Sequence, residues 1–255
     1  MCGAAYLCAA AALYAGTGMV KIQTEEENRI PLQTLLPEAM LTCEFNQQEN
    51  EKNLDWCDVL VIGPGIGMTV KAADKVRFFL KKAKQEKKQV VLDADGLNLL
   101  AENPKWKNYL GRHVILTPHM GEMSRLTGKS IRELKSDRAG AARALAAETG
   151  VVCVLKDACT VTAAPDGRAW ISLSGNAGMA TAGSGDVLSG VLAGMQAMYL
   201  ETPVEEKDAG FYAALGVLLH GAGGDQAAMR KGMAGMKAGD IACGVAEILK
   251  EQQNF

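Results

Sequence analysis

Ser174-Gly175-Asn176-Ala177-Gly178-Met179-Ala180-Thr181-Ala182-Gly183-Ser184-Gly185-Asp186 runs directly into Val187-Leu188-Ser189-Gly190-Val191-Leu192. The first part is glycine-rich and poor in large side chains. The second is apolar at 187, 188, 191, 192 and 195, the stripe of a helix with one buried face. A loop therefore feeds a helix N-terminus, where backbone N–H groups lack intrahelical partners and the macrodipole is positive. Glycines at 183 and 185 permit positive φ and close approach of backbone to a ligand. Such a loop suits a polyphosphate. Asp186, at the junction, has two readings. It is an N-cap or first-turn carboxylate, or a base for a hydroxyl that attacks the phosphate, since a carboxylate is no ligand for phosphate itself.

Upstream of this segment strands alternate with helices. Asp58-Val-Leu-Val-Ile62 is an apolar run suited to a buried parallel strand, and it ends in Gly63-Pro-Gly-Ile-Gly67. Apolar positions 73, 76, 79, 80 and 83 predict a helix over Thr69–Lys87. Val90–Leu92 is the next strand, ending in Asp93-Ala-Asp95, with a short helix near Leu97–Glu102. Val114–Leu116 leads into Thr117-Pro-His119, and a helix begins around Gly121. A helix over Ser136–Thr149 precedes strands at Val151–Lys156 and Thr160–Ala163. The turn Pro165-Asp-Gly167 makes a hairpin of the latter with Ala169–Leu173.

Beyond the glycine-rich loop lie three helical blocks, 186–198, 208–230 and 239–252, with Asp208 and Asp240 as N-caps. At the other end, Ala4–Ala15 is an Ala-rich helix followed by a short strand at Met19–Ile22. Residues 24–56 are polar, contain Pro31 and Pro37, and carry little signal. The alternation predicts an α/β fold, a mostly parallel central sheet with helices on both faces. No repeat or domain boundary is visible.

Composition excludes several classes. With 255 residues, 48% hydrophobic and 22% charged, the chain reads as one large domain with an ample core. A net charge of −2 favours neither nucleic acid nor an anionic membrane. The Lys/Arg run at 81–88 is read as the solvated face of a helix. Seven cysteines without a Cys-x-x-Cys pair favour reduced thiols in a cytoplasmic protein over a disulfide frame or zinc site. Cys2–Ala15 imitates a signal peptide, but no Lys or Arg precedes it. No apolar run reaches the roughly 18 residues that span a bilayer.

Other motifs fail. Gly128-Lys-Ser130 ends like a P-loop, yet the required first glycine falls at Met123. Gly63-x-Gly-x-Gly67 has the wrong spacing for a dinucleotide fingerprint. No His-Glu-x-x-His or Gly-x-Ser-x-Gly is present. Gly65, Asp93, Asp95 and His119 all follow predicted strand ends, where ligands of open α/β sheets lie. The glycines also fit a tight strand–helix turn, the aspartates equally backbone caps or a metal–phosphate anchor, and a lone His such as His119 is more often structural than catalytic. His113 is read as structural and His220 as a helix residue near the core. Lys156 is a strand-end lysine or a point charge for phosphate. Asn176 supports the central loop or forms a side-chain turn.

Four stretches carry a resemblance: Asn176 to Gly190, Gly63 to Gly67, Asp93-Ala-Asp-Gly-Leu-Asn98 and Leu116-Thr-Pro-His-Met-Gly-Glu122. Together they resemble the nucleotide-dependent NAD(P)H-hydrate dehydratases, a branch of the ribokinase-like superfamily; Gly-x-Gly-Asp alone would indicate only the superfamily. The resemblance implies that the S epimer of hydrated NADH or NADPH is dehydrated, with ADP or ATP as co-substrate and Mg²⁺ accompanying it. Bacterial-type members use ADP and release AMP and phosphate.

In this sequence the resemblance places substrate contacts at Ala4, Gly65, His119 and Asp186. It places nucleotide contacts at Lys156, Asp157, Ala158, Cys159, Thr160, Gly183, Ser184 and Gly185, with Asp186 catalytic and no metal ligand set. Many relatives have glycine at the position of Asp157. Members of the family also carry a strand and glycine-rich loop before the segment matching Gly3-Ala-Ala-Tyr-Leu7. The expectation is therefore a chain lacking that strand or an upstream domain, and a sheet with an exposed edge. Expected partners are the hydrated cofactor and an epimerase domain or protein upstream, with homo-oligomerisation left open. The competing readings are a small-molecule kinase of the same superfamily and a non-catalytic nucleotide-binding regulator.

Overall fold

The computed structural model describes residues 1–203 and 208–252, and among these the strands form two sheets. The chain opens with helix α1 (Cys2–Tyr14). Strand β1 (Lys21–Gln23), helix α2 (Arg29–Leu35), strand β2 (Met40–Thr42) and helix α3 (Gln47–Trp56) follow. β1 and β2 pair in parallel, Ile22 opposite Leu41. Ile22, Leu32, Leu36 and Ala39 close a small core against Ala9 and Ala10 of α1. Polar partners complete this lobe: the Gln23 amide donates to Asn50 Oδ1 at 2.7 Å. Order here comes from contacts between distant polar residues rather than from periodicity.

The main sheet is built from β3 (Val59–Ile62), α4 (Val70–Glu86), β4 (Gln89–Leu92), α5 (Asp95–Glu102) and β5 (Val114–Leu116). It continues through α6 (Met120–Thr127), α7 (Ile131–Ser136), α8 (Arg138–Thr149) and β6 (Val152–Leu155). The hairpin β7 (Val161–Ala163) and β8 (Ala169–Ile171) completes it. Strand order is β3-β4-β5-β6-β7-β8. The first four strands are parallel and the last two antiparallel.

Side chains alternate across the sheet, as the pleat requires. Leu92, Leu116 and Cys153 face a core that includes Leu80, Leu97, Met123 and Leu145. Their neighbours Val91, Ile115 and Val152 face Leu188 and Leu192 of α9 (Ser184–Glu201) and Val217 of α10 (Ala209–Lys231). α1 and α11 (Ala238–Gln252) pack onto α9 and α10, with Ala11, Val191, Leu219 and Ile241 in one cluster. Helices thus cover both faces, as the alternation predicts.

Several helix boundaries differ from expectation: α7 was not foreseen, and α9 runs Ser184–Glu201 where 186–198 was expected. The helix expected over 136–149 begins at Arg138, after Asp137, whose side chain caps it by accepting from Gly140 N–H at 2.7 Å. Asp208 caps α10 as predicted, accepting from Phe211 N–H at 3.0 Å. Asp240 instead lies inside α11 and accepts from Lys237 N–H at 2.8 Å, a service rendered from within the first turn. The apolar Cys2–Ala15 stretch is folded: Cys8 to Ala12 are buried. All seven cysteines are unpaired. No described helix is long and apolar enough to cross a membrane.

Candidate active site

Because β3 to β6 run in parallel, their C-terminal ends open along one edge of the sheet, and the loops that leave them are laced together. Asp93 N–H donates to Ile62 O at 3.0 Å, and Gly67 N–H to Asp95 Oδ2 at 2.9 Å. Thr117 N–H reaches Leu92 O at 3.2 Å, and Lys156 N–H reaches Pro118 O at 2.8 Å. Gly63 is obligatory in this lacing: at φ +123° a Cβ would stand 1.8 Å from Asp93 O. Ala94, between the two aspartates, takes φ +48°. That conformation costs a non-glycine residue about 1–3 kcal/mol and persists only where neighbours over-determine it. Gly65 lies under the start of α1, its carbonyl accepting from the Met1 ammonium at 2.8 Å.

The glycine-rich loop delivers α9 to the same edge. Gly183 takes φ +92° at the N-cap position, and no side chain caps the helix. Ser184, Gly185 and Asp186 form the first turn; Ser184 N–H donates to Thr181 O at 3.3 Å, and the N–H groups of Gly185 and Asp186, with the positive end of the dipole, face an incoming anion. A Cβ on Gly185 would lie 3.4 Å from Lys156 Nζ and 4.0 Å from Asp93 Oδ2. The helix start, a lysine and a second aspartate therefore converge.

Asp93 is 1% exposed, and both its oxygens are engaged. Oδ1 accepts from Lys156 Nζ at 2.6 Å and Oδ2 from Ser189 Oγ at 2.7 Å. Its side chain thus caps no local backbone and instead ties β4 to Lys156 and to α9. Asp95 is spent on the Gly67 amide. The Asp186 carboxyl is pushed up to about 6, first by burial and then by the charge of Asp93, with the Lys156 ammonium opposing. Burial and the charges of Asp186 and Asp93 hold the Cys8 thiol well above its usual range, which places α1 as a wall beside Asp186. Ala4, also buried, lies one turn earlier on the same face of α1.

His119 is the N-cap of α6. Its Nδ1 accepts from Gly121 N–H at 2.9 Å and Glu122 N–H at 3.3 Å, while Glu122 Oε2 accepts from His119 N–H at 2.8 Å. An accepting Nδ1 puts the ring proton on Nε2. Burial, then the charges of Lys156 and Arg125, lower its pKa and favour the neutral ring. His119 Nε2 lies 3.4 Å from Glu122 Oε1, and 54% of the side chain is exposed.

Of the following loop, Asp157 pairs with Arg138 at 3.1 Å. Ala158 is exposed, Cys159 and Thr160 are half-buried, and Thr160 Oγ1 donates to Asp157 O at 3.5 Å. Among the described residues no group of three or more His, Cys, Asp or Glu could hold a metal. A Mg²⁺ entering with a nucleotide would be held chiefly through phosphate oxygens.

Sequence reasoning missed Ser189 and Asp225, and read His220 as a helix residue near the core, as it is in α10, without its polar partner. Ser189 is a polar residue three positions after Asp186 within an apolar run, which was a usable signal. His220 is 9% exposed, and its Nε2 donates to Ser184 O at 3.0 Å. Asp225 accepts from Gly175 N–H and from Asn176 Nδ2, both at 2.9 Å. Asn176 fills both roles foreseen for it, since its Oδ1 also accepts from Gly178 N–H at 3.0 Å.

Strand ends laced along one sheet edge, an uncapped helix start and a first-turn aspartate define a ribokinase-like α/β protein. The chain belongs to the NAD(P)H-hydrate dehydratase family, whose family model matches residues 1–247. It is 41% identical over 242 residues to the bifunctional NAD(P)H-hydrate repair enzyme of Escherichia coli, covering 94% of this chain and 43% of that one. It is 36% identical over 247 residues to the ADP-dependent (S)-NAD(P)H-hydrate dehydratase of Neisseria meningitidis, covering 95% of this chain and 79% of that one. The chain therefore spans less than half the length of the bifunctional relative and most of the dehydratase. Among solved structures it resembles the ADP/ATP-dependent NAD(P)H-hydrate dehydratase of Bacillus subtilis co-crystallised with ATP and Mg²⁺. The TM-score is 0.78 and the identity 30%, over 98% of this chain and 85% of that one.

Proposed function

We propose that this chain catalyses the nucleotide-dependent dehydration of the S epimer of hydrated NADH or NADPH, with ADP as co-substrate and AMP and phosphate as products. The carrying observation is the convergence of a desolvated Asp186, the Lys156 ammonium and the uncapped start of α9. Asp186, poised near neutrality, takes the proton of the ring hydroxyl as that oxygen attacks the terminal phosphoryl group. The N–H groups of the first turn, with Lys156, stabilise the charge on the transferring group and release AMP. The ring nitrogen lone pair then expels the phosphate, and loss of a proton from the adjacent ring carbon restores the dihydronicotinamide. His119 Nε2–H and the Gly65 backbone line the substrate side, with Ala4 on the α1 wall. Lys156 to Thr160 and Gly183 to Gly185 line the nucleotide side. Mg²⁺, when bound with the nucleotide, would supply charge neutralisation on the phosphates.

Such an enzyme takes one epimer, so the reading includes an epimerase in an adjoining domain or separate protein. The partial span of the bifunctional relative supports that arrangement. A cytoplasmic setting suits seven unpaired thiols. The test is incubation with hydrated NADH and ADP while following dihydronicotinamide absorbance. Recovery of NADH with stoichiometric AMP is expected. A phosphorylated hydrate released intact would make the chain a kinase instead, and no turnover with either ADP or ATP would overturn the reading.

A further inference from the structure

We infer that α10 clamps the phosphate-binding loop at both ends, and that His220 and Asp225 are positioning residues for nucleotide binding. The inference rests on the reading above that the loop holds nucleotide phosphates. The loop runs from Gly175, at φ +101°, to Gly183, at φ +92°. At its entry Asp225 uses both carboxylate oxygens, one on Gly175 N–H and one on Asn176 Nδ2, each at 2.9 Å. Asn176 Nδ2 also donates to Gly224 O at 3.0 Å. At its exit His220 Nε2 donates to Ser184 O at 3.0 Å.

The two claws are five residues apart on one helix, and the helix surface between them is cut away. A Cβ at Gly221 would stand 2.1 Å from Ser174 Oγ, and one at Gly224 would stand 2.3 Å from Met179 Sδ. The loop therefore lies directly on the α10 backbone, held at either end.

In a trans peptide the C=O and N–H point in opposite directions. Ser184 opens α9, so the helix itself points its carbonyl toward the C-terminal end and the Gly185 N–H toward the helix start; the His220 bond anchors that first turn to α10. Burial drives the His220 pKa down to about 4, so the ring is neutral and its single proton is committed to that carbonyl. A loop held this way presents its donors without reorganising when the anion arrives.

The experiment compares wild type with Asp225→Asn, His220→Leu, His220→Gln and the exchange Asn176→Asp/Asp225→Asn. It measures Mg-ADP affinity by calorimetry, the separate KM values for ADP and hydrated NADH with kcat, thermal midpoints, and amide hydrogen exchange across 175–186. In Asp225→Asn the new amide can accept from only one of two donors. The expected result is an ADP affinity weaker by about tenfold or more, with the KM for hydrated NADH nearly unchanged. Exchange should quicken in 175–186 but not in the sheet. The exchange variant restores a donor–acceptor pair between 176 and 225 and should recover ADP affinity. His220→Gln retains a donor and should stay close to wild type, whereas His220→Leu should not.

Folded Asp225→Asn and His220→Leu proteins with wild-type ADP affinity and loop exchange would overturn the clamp, as would failure of both conservative rescues. A wild-type protein that binds no ADP would overturn the functional reading instead. The clamp would then be judged on hydrogen exchange alone, where unchanged loop protection in both variants refutes it.

Discussion

Replacing Asp186 by Asn separates what the carboxylate costs the fold from what it does for the reaction. Its carboxyl stands at about 6 instead of the ordinary 3.8. Taken in full, two pKa units correspond to about 3 kcal/mol. The side chain is only half-buried, so solvent screening reduces this to about 1–2 kcal/mol. The folded pKa lies above the unfolded one, so the native state is favoured by protonation. The penalty is absent below about pH 4, grows as pH rises to about 6, and is full above that. Asn carries no such penalty, though it forfeits about 0.5 kcal/mol of interaction with the helix dipole.

Asp186→Asn should therefore be more stable than wild type by about 1 kcal/mol near pH 8, or about 2–4 °C in thermal midpoint, with no gain near pH 4. Its kcat should fall by about 10²–10⁴. Wild-type turnover should itself decline as pH drops through about 6, where the base becomes protonated. Melting curves at both pH values and NADH-recovery kinetics test the argument together. Near-normal turnover in the variant, or a stability change independent of pH, would refute it.

Lys156→Met leaves the buried Asp93 carboxylate without its cation and should destabilise by about 3–5 kcal/mol in urea titrations. Adding Asp93→Asn should recover part of that loss; equal stability of single and double variants would show that the pair is not coupled. Gly63→Ala drives a methyl into Asp93 O at a left-handed φ. Chemical denaturation should register a loss of about 2–4 kcal/mol, and a loss below about 1 kcal/mol would contradict the observed packing. His119→Asn exchanges one capping acceptor for another, so stability should hold within about 0.5 kcal/mol. The KM for hydrated NADH should rise about tenfold if the imidazole contacts substrate, and an unchanged KM would confine His119 to its capping role.

The parallel core was legible because β3 to β6 are buried apolar runs with glycine, aspartate or proline at their ends. The helix start at 184–186 was legible because glycine and the apolar stripe meet there. The small lobe was not: its strands are three residues long, and polar pairs such as Gln23–Asn50 order it. The two-residue shift of the α8 start was hidden because an aspartate at a helix edge reads equally as surface charge or as a cap. His119 was singled out for its place after a strand, yet its capping box with Glu122 went unread, because imidazole is an uncommon N-cap. The partners of Asp93 lie 63 and 96 residues away, and no local spacing points to either.

Those two separations bear on how the protein is made. Asp93 emerges from the ribosome long before Lys156 and Ser189, and its carboxylate cannot leave water until both have arrived. The sheet face formed by Val91, Ile115 and Val152 must meanwhile wait for Leu188 and Leu192 of α9. A nascent chain that ends before α9 therefore holds an uncovered apolar face beside an unpaired charge, the kind of surface that chaperones bind and that aggregates. Closure of α9 over the sheet relieves both at once. Folding and the assembly of the edge where Asp93, Lys156 and α9 converge are then a single late event.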